Sequence, residues 1–241
     1  MIIFKNECWA LIPARSGSSL KNKNIKKLLG KPLIQFSIET AFKSKCFKKI
    51  IFSSDSQKYI NIALKINKNL EIHKRSRKTS SSTASEFSVF YDYISKQKKY
   101  LPLYFAHLRP TNPIRNLTTI RDVLKKFYKV NKNFTSIRTI REMPNPAFRS
   151  FILKNEKIRS VFKNDFNMDK YWVPRQLFPK TYFGSCTIDI YKTKHILKNK
   201  SLFGKSVYGY VDKNITVDID VLEDFKYAEY LLKNNKKVKI D

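Results

Sequence analysis

Glycine is scarce, 5 in 241 residues. Their spacing fits neither the Gly-x-x-x-x-Gly-Lys-Ser/Thr phosphate loop nor the Gly-x-Gly-x-x-Gly dinucleotide turn, which excludes both of those cradles. Acidic residues are scarce as well, 19 against 49 lysines and arginines, so any metal chemistry has to rest on a few carboxylates. The three cysteines, Cys8, Cys46 and Cys186, lie far apart. That excludes a disulfide framework and a Cys-x-x-Cys centre, and reads as buried thiols in a reducing compartment. His73, His107 and His195 show no metal-ligand spacing and read as structural. No apolar run is long enough to span a bilayer. The opening Ile2-Ile3-Phe4, broken by Lys5 and Glu7, is too short and too charged for a secretory leader. A soluble, cytoplasmic protein without a membrane partner is the expectation.

What is present supports a packed core: 42% of residues are hydrophobic and 14% aromatic, enough to exclude disorder. The length suits one domain over residues 1–241. The formal charge of +30 raises nucleic acid as a partner. The lysines are scattered, however, and no zinc-finger, RNP or basic-zipper pattern accompanies them. No nucleic-acid partner is expected, and the cationic field is read as favouring a small polyanion.

Strands alternate with helical patterns, the signature of a largely parallel sheet covered by helices. The pattern predicts strands at Cys8 to Ile12, Lys49 to Phe52, Tyr104 to Leu108, Ser136 to Ile140, Thr187 to Tyr191 and Ile215 to Ile219. It predicts helices over Pro32 to Phe47, Gln57 to Ile66, Phe87 to Lys96, Asn116 to Val130 and Leu222 to Leu232. From Thr135 to Tyr191 the pattern loosens around Pro144, Pro146, Pro174 and Pro179, which marks 135–191 as an inserted excursion.

Four segments carry chemistry. The loop Arg15-Ser16-Gly17-Ser18-Ser19 follows the first strand, where ligands bind in such folds. There Gly17 lets backbone N–H groups turn inward, and Arg15, Lys21 and Lys23 supply counter-charge for phosphates. In Val217-Asp218-Ile219-Asp220, residues two apart share a strand face. Asp218 and Asp220 are therefore a candidate pair of hard ligands for Mg²⁺, with a capping-box start at Asp220 and Glu223 as the rival reading. In Leu108-Arg109-Pro110-Thr111-Asn112-Pro113-Ile114-Arg115 the prolines force a turn. Arg109 can grip a carboxylate bidentately, while Arg115 reads as a helix-flanking cation. Asp55 and Ser56 read as an N-cap for the helix at Gln57. The last segment is Arg175-Gln176-Leu177-Phe178-Pro179-Lys180-Thr181-Tyr182.

These segments, from IPARSGSS…KNKNIKKLLGKPLIQFSIETA through KKIIFSSDS, LRPTNPIR and RQLFPKTY to VDIDVLEDFKYAE, resemble the acylneuraminate cytidylyltransferase (CMP-sialic acid synthetase) family over nearly the whole chain. The resemblance implies a Rossmann-like three-layer α/β sandwich of the nucleotide-diphospho-sugar transferase type, with a mostly parallel sheet and a dimerisation subdomain within 135–191. It places Arg15, Ser18 and Lys23 on phosphate positions, Asn24 beside the nucleotide, Arg75 on the base, Arg109, Arg175 and Gln176 at the sugar, and Mg²⁺ on Asp218 and Asp220. Arg15 and Lys23 are the catalytic cations it implies.

The chain departs from the family's pattern at Ser18-Ser19-Leu20, where a lysine is lost unless Lys21 replaces it. It departs again at Arg109 for a glutamine, at Ser185-Cys186 for Asn-Gly, and at Ser82 for an aspartate. The implied activity joins CTP to a 3-deoxy-2-keto sugar acid, by a homodimer, with release of pyrophosphate. The alternatives are a same-fold enzyme using another nucleotide, such as GTP with a sugar phosphate, or a non-catalytic sugar-nucleotide binder.

Overall fold

A computed structural model describes residues 7–17, 20–81, 83–97, 100–162 and 167–234. The chain forms two compact units, one of residues 1–139 with 185–241 and one of residues 140–184.

The first unit is built on β1 (Cys8–Pro13), whose alternate side chains feed two different cores. Cys8, Ala10 and Ile12 point to one face, and Trp9 and Leu11 to the other. A strand apolar on both sides is what a central parallel strand requires. It is flanked by β2 (Ile50–Ser54), β3 (Glu71–Lys74) and β4 (Tyr104–His107). β1 pairs in parallel with β2 and with β4, and β2 with β3. Beyond β4 come β5 (Ser136–Glu142), β6 (Tyr182–Lys192) and β7 (Val207–Val211). The sheet order is β7-β5-β6-β4-β1-β2-β3, and β6 runs antiparallel to β4, with Asp189 opposite His107.

Helices cover both faces, giving the mostly parallel sheet that the pattern predicted and the three-layer α/β sandwich that the resemblance implied. On one face lie α1 (Leu33–Ser44), α2 (Gln57–Ile66) and α4 (Leu117–Val130), packing Ile34, Ile38, Tyr59, Ile60, Val123 and Phe127 against the sheet. On the other, α3 (Glu86–Ser95) and α5 (Thr193–Asn199) pack Phe90, Tyr93 and Ile196 against Trp9, Leu11 and Phe105. Each fully buried side chain of this size contributes about 1.5–3 kcal/mol, so burial of these faces, more than helix propensity, sets where the helices sit. Ser56, Ser85 and Asn116 cap α2, α3 and α4 through their side-chain oxygens. The closing helix, α6 (Leu222–Asn234), buries Phe225, Ala228 and Leu231 with Leu33, Phe36 and Ile219.

Two sequence expectations change. Residues 215–219 form no strand. Val217 and Ile219 are buried and Asp218 and Asp220 exposed, as alternation predicts, but the segment runs beside a loop. Its Ile219 N–H bonds to the Thr111 carbonyl at 2.8 Å. The strands β3 and β7 and the helix α5 stand outside the predicted elements: β3 is Glu-Ile-His-Lys, half-buried at one edge of the sheet, and β7, Val-Tyr-Gly-Tyr-Val, is interrupted by glycine at the other.

In the second unit, strands Phe151–Lys154 and Lys157–Ser160 form a hairpin. It turns on Asn155 and Glu156, both at positive φ, as a tight two-residue turn needs. Phe148 stacks on Phe178 at 5.9 Å. Ile152, Leu153, Phe162, Trp172 and Leu177 stay exposed.

Candidate active site

The chain runs outward from β1 to β3 and then crosses back to β4, so the strand order reverses between β1 and β4. The crevice beyond the carboxyl ends of such strands is where ligands bind. A cleft of about 310 Å³ opens there, lined by residues that follow both strands.

The loop after β1 is anchored from β2. Asp55 accepts the Ser16 N–H at 2.9 Å and the Ser16 hydroxyl at 2.7 Å. Ser56 alone caps α2; Asp55 instead holds the loop, a role its place beside the helix start had hidden. Arg15 lines the cleft and donates to the Ser81 carbonyl at 3.1 Å. Asn24 donates to the Arg15 carbonyl at 3.0 Å, while its buried Oδ1 has no partner among the described residues. Lys23, 6% exposed, crosses the cleft to the Ile219 carbonyl at 2.7 Å and to Asp220 Oδ1 at 3.0 Å. Arg75 donates to the Thr79 carbonyl, and its buried Nε is unpartnered among the described residues. Arg15, Lys23, Asn24, Arg75, Arg109 and Asp220 thus share one cleft. Lys21 is exposed and does not line it. Ser18 and Ser82 lie outside the described residues.

Arg109 is placed differently from the expectation that its fork is open to a sugar carboxylate. Nε and Nη2 bond both oxygens of Glu86 at 2.7 Å, and Nη1 bonds Asp189 Oδ2 at 2.7 Å. Asp189 is 1% exposed. Burial opposes the charge on Arg109, yet Asp189 and Glu86 hold its pKa well above the ordinary value. Burial likewise would raise the Glu86 carboxyl, but His107 and Arg109 outweigh it and bring it down to about 2. His107, fully buried, meets the Tyr191 hydroxyl at 3.2 Å through Nδ1, and its Nε2 has no partner among the described residues. Burial and then Arg109 press its pKa down to about 3, so the ring is neutral. His107, read from the sequence as structural, is a buried neutral ring; sequence reading missed Glu86 and Asp189, and the signal that could have found them is a second acid for an arginine at a strand's end.

Arg115 is no flanking surface cation. It is 3% exposed and donates to the carbonyls of Thr187 at 2.7 Å, Cys186 at 3.4 Å, Asn112 and Arg109, and to the Ser37 hydroxyl at 2.8 Å. A guanidinium spends its donors here on backbone that the proline turn leaves unpaired.

Asp218 and Asp220 are the exposed positions of the alternating segment, flanking buried Ile219. Asp220 lines the cleft, and Asp218 accepts the Cys186 thiol at 3.2 Å. Among the described residues no three acidic, histidine or cysteine side chains gather as a self-sufficient metal site. Two carboxylates, one of them beside Lys23, are a donor set that would fit a magnesium ion, which usually completes its shell with phosphate oxygens and water. The capping-box reading gives way to Asp224, whose Oδ2 accepts the N–H groups of Asp220 at 2.9 Å and Val221 at 3.1 Å.

Arg175 and Gln176 belong to the second unit. Both line a pocket of about 500 Å³ within it, Arg175 donating to the Pro144 carbonyl at 3.4 Å.

Residues 9–240 match the cytidylyltransferase family. The sequence is 32% identical over 232 residues to post-translational flagellin modification protein B of Campylobacter coli, covering 95% of this chain and 96% of that protein. It is 30% identical over 239 residues to the N-acylneuraminate cytidylyltransferase of Escherichia coli O18:K1:H7, covering 96% of this chain and 54% of that protein. The fold is similar to that of CMP:2-keto-3-deoxy-manno-octonic acid synthetase complexed with CTP, at TM-score 0.67 and 12% identity over 93% of this chain and 98% of that one. No helix among the described residues is long and apolar enough to cross a membrane.

Proposed function

The chain belongs to the cytidylyltransferase family, and from that premise we propose that it joins CTP to a sialic-acid-like 3-deoxy-2-keto sugar acid, forming a CMP-sugar and releasing pyrophosphate. The observation that carries this reading is the meeting of Lys23 with Asp220, 197 positions apart, in the cleft at the strand reversal. A phosphate-binding cation and a metal-binding carboxylate are thereby within reach of one triphosphate.

In the reaction so read, the anomeric hydroxyl attacks the α-phosphorus and pyrophosphate leaves. Arg15 and Lys23 are the catalytic cations: both face the cleft, and both stabilise charge that grows on the phosphate oxygens in the transition state. Asn24 and Arg75 both line the cleft and are read as holding the nucleoside. A Mg²⁺ on Asp218 and Asp220 would neutralise phosphate charge and lower the pKa of a coordinated hydroxyl. Catalysis is otherwise positioning, and no side chain among the described residues is nominated as the general base. With the Arg109 fork held by Glu86 and Asp189, the sugar carboxylate is read as meeting another cation; within the second unit, Arg175 and Gln176 are the residues that the resemblance offers for it. The exposed apolar side chains of that unit suit a homodimer contact, and the free thiols suit the cytoplasm.

The test is a panel of 2-keto sugar acids with each of the four nucleoside triphosphates and Mg²⁺, scored by pyrophosphate release. Release with CTP and a nine-carbon acid is expected. Release only with GTP and a sugar phosphate would sink the reading, as would CTP binding without release for any acid.

A further inference from the structure

Strand β6 leaves the regular pleat at Cys186, which has φ 58, the left-handed region where glycine is the residue without strain. The departure is held from the loop after β4. Asn112 Nδ2 donates to the Ser185 carbonyl at 3.0 Å, Arg115 Nη2 to that of Cys186 at 3.4 Å, and Arg115 Nε to that of Thr187 at 2.7 Å. Three consecutive carbonyls of the kinked strand are thus gripped by one loop. The same loop holds the acidic segment, since Thr111 accepts the Ile219 N–H at 2.8 Å.

The kinked strand and the acidic segment are thereby tied to one loop, and one side-chain contact joins them. The Cys186 thiol, on a residue only 8% exposed, reaches Asp218 Oδ2 at 3.2 Å. A carboxylate can only accept, so the thiol donates. A β-carbon kept at a backbone angle that disfavours it needs a compensating use, and aiming this sulfur is the use the contacts supply.

We infer that Cys186 is a positioning residue, whose S–H fixes the rotation of the Asp218 carboxylate and so presents its other oxygen to the divalent ion. The inference rests on the reading of Asp218 as a Mg²⁺ ligand. Groups that orient a ligand in this way typically contribute tenfold or more to metal affinity.

Mn²⁺ serves as the probe, its binding followed by electron paramagnetic resonance on the full chain saturated with CTP and without sugar. Asp218→Asn and Cys186→Gly are each expected to weaken Mn²⁺ binding by about tenfold, and Cys186→Ser, which keeps a donor, to stay within about twofold. Glycine fits φ 58, so Cys186→Gly is expected to melt no lower than the unaltered protein, which separates orientation from folding. The S–H stretching band of Cys186, taken as the Raman difference against Cys186→Ser, should move to higher frequency in Asp218→Asn as its acceptor weakens from a carboxylate to an amide oxygen.

If Asp218→Asn loses Mn²⁺ while Cys186→Gly binds it normally, the positioning role is overturned and the metal reading stands. If Asp218→Asn itself binds Mn²⁺ normally, the metal reading fails and the positioning role falls with it.

Discussion

The two halves of the cleft treat their cations in opposite ways. On one side, Arg15 after β1 and Arg75 after β3 are held by backbone carbonyls, and Lys23 by one carbonyl and the exposed Asp220. A carbonyl orients a cation without cancelling its charge, so Arg15 and Arg75 keep theirs, while Lys23 shares its charge with a carboxylate that is 72% exposed. After β4, Arg109 faces two carboxylates, one half-exposed and one buried, and its charge is spent inside the protein. Whether an arginine is available to a ligand is decided by what holds it, which composition and motif do not reveal.

The largest effect that could break this contrast is on turnover. Lys23→Ala and Arg15→Ala are each expected to lower kcat/KM for CTP by about 100-fold or more, the usual loss of one transition-state donor, measured by pyrophosphate release. A loss below tenfold would equate this half with the other.

Next comes stability. Arg109→Gln leaves Asp189 buried without a cation and is expected to cost about 3–5 kcal/mol in urea unfolding. Arg109→Gln with Asp189→Asn should recover most of it, which would mark Arg109 as structural first. Glu86→Gln, on the exposed arm, is expected to cost under about 1 kcal/mol.

A third test is acidity. His107 is held neutral in the folded protein with its pKa lowered to about 3, so the unfolded chain binds its proton first as pH falls below about 6.5. Stability should therefore decline from about pH 6.5 toward pH 3 on this account, and Glu86, lowered to about 2, adds a further loss below about pH 4.5. His107→Leu should flatten the upper part of that decline in unfolding curves taken at pH 7 and pH 5. An equal slope in both proteins would remove His107 from the account.

The smallest effect is expected from Lys21→Ala. The resemblance lets Lys21 replace the lost loop lysine and so predicts a severalfold rise in the CTP KM. The exposed side chain, outside the cleft lining, points instead to a change within about twofold.

Much of this arrangement was legible in the sequence because it is periodic. The alternation in Cys8-Trp9-Ala10-Leu11-Ile12 and the helical spacing from Leu117 to Phe127 record burial directly, and loops at strand ends locate the cleft. What stayed hidden was pairing. Nothing local says that Glu86 and Asp189 would meet Arg109, that Asp55 would pin Ser16 rather than cap α2, or that Arg115 would be swallowed by carbonyls. Such contacts are set by which strand lies beside which, and the crossing from β3 back to β4 decides them. The acidic pair kept its alternation but not its strand, because its neighbour is a proline-turned loop.

The stretch 140–184 leaves and re-enters the sheet on adjoining strands, β5 and β6, where the Thr139 hydroxyl bonds the Ile188 carbonyl at 3.0 Å. A cassette with side-by-side ends can be exchanged between relatives without rethreading the sheet that carries it. Grafting that stretch alone is therefore a direct way to ask how much of acceptor choice travels with it.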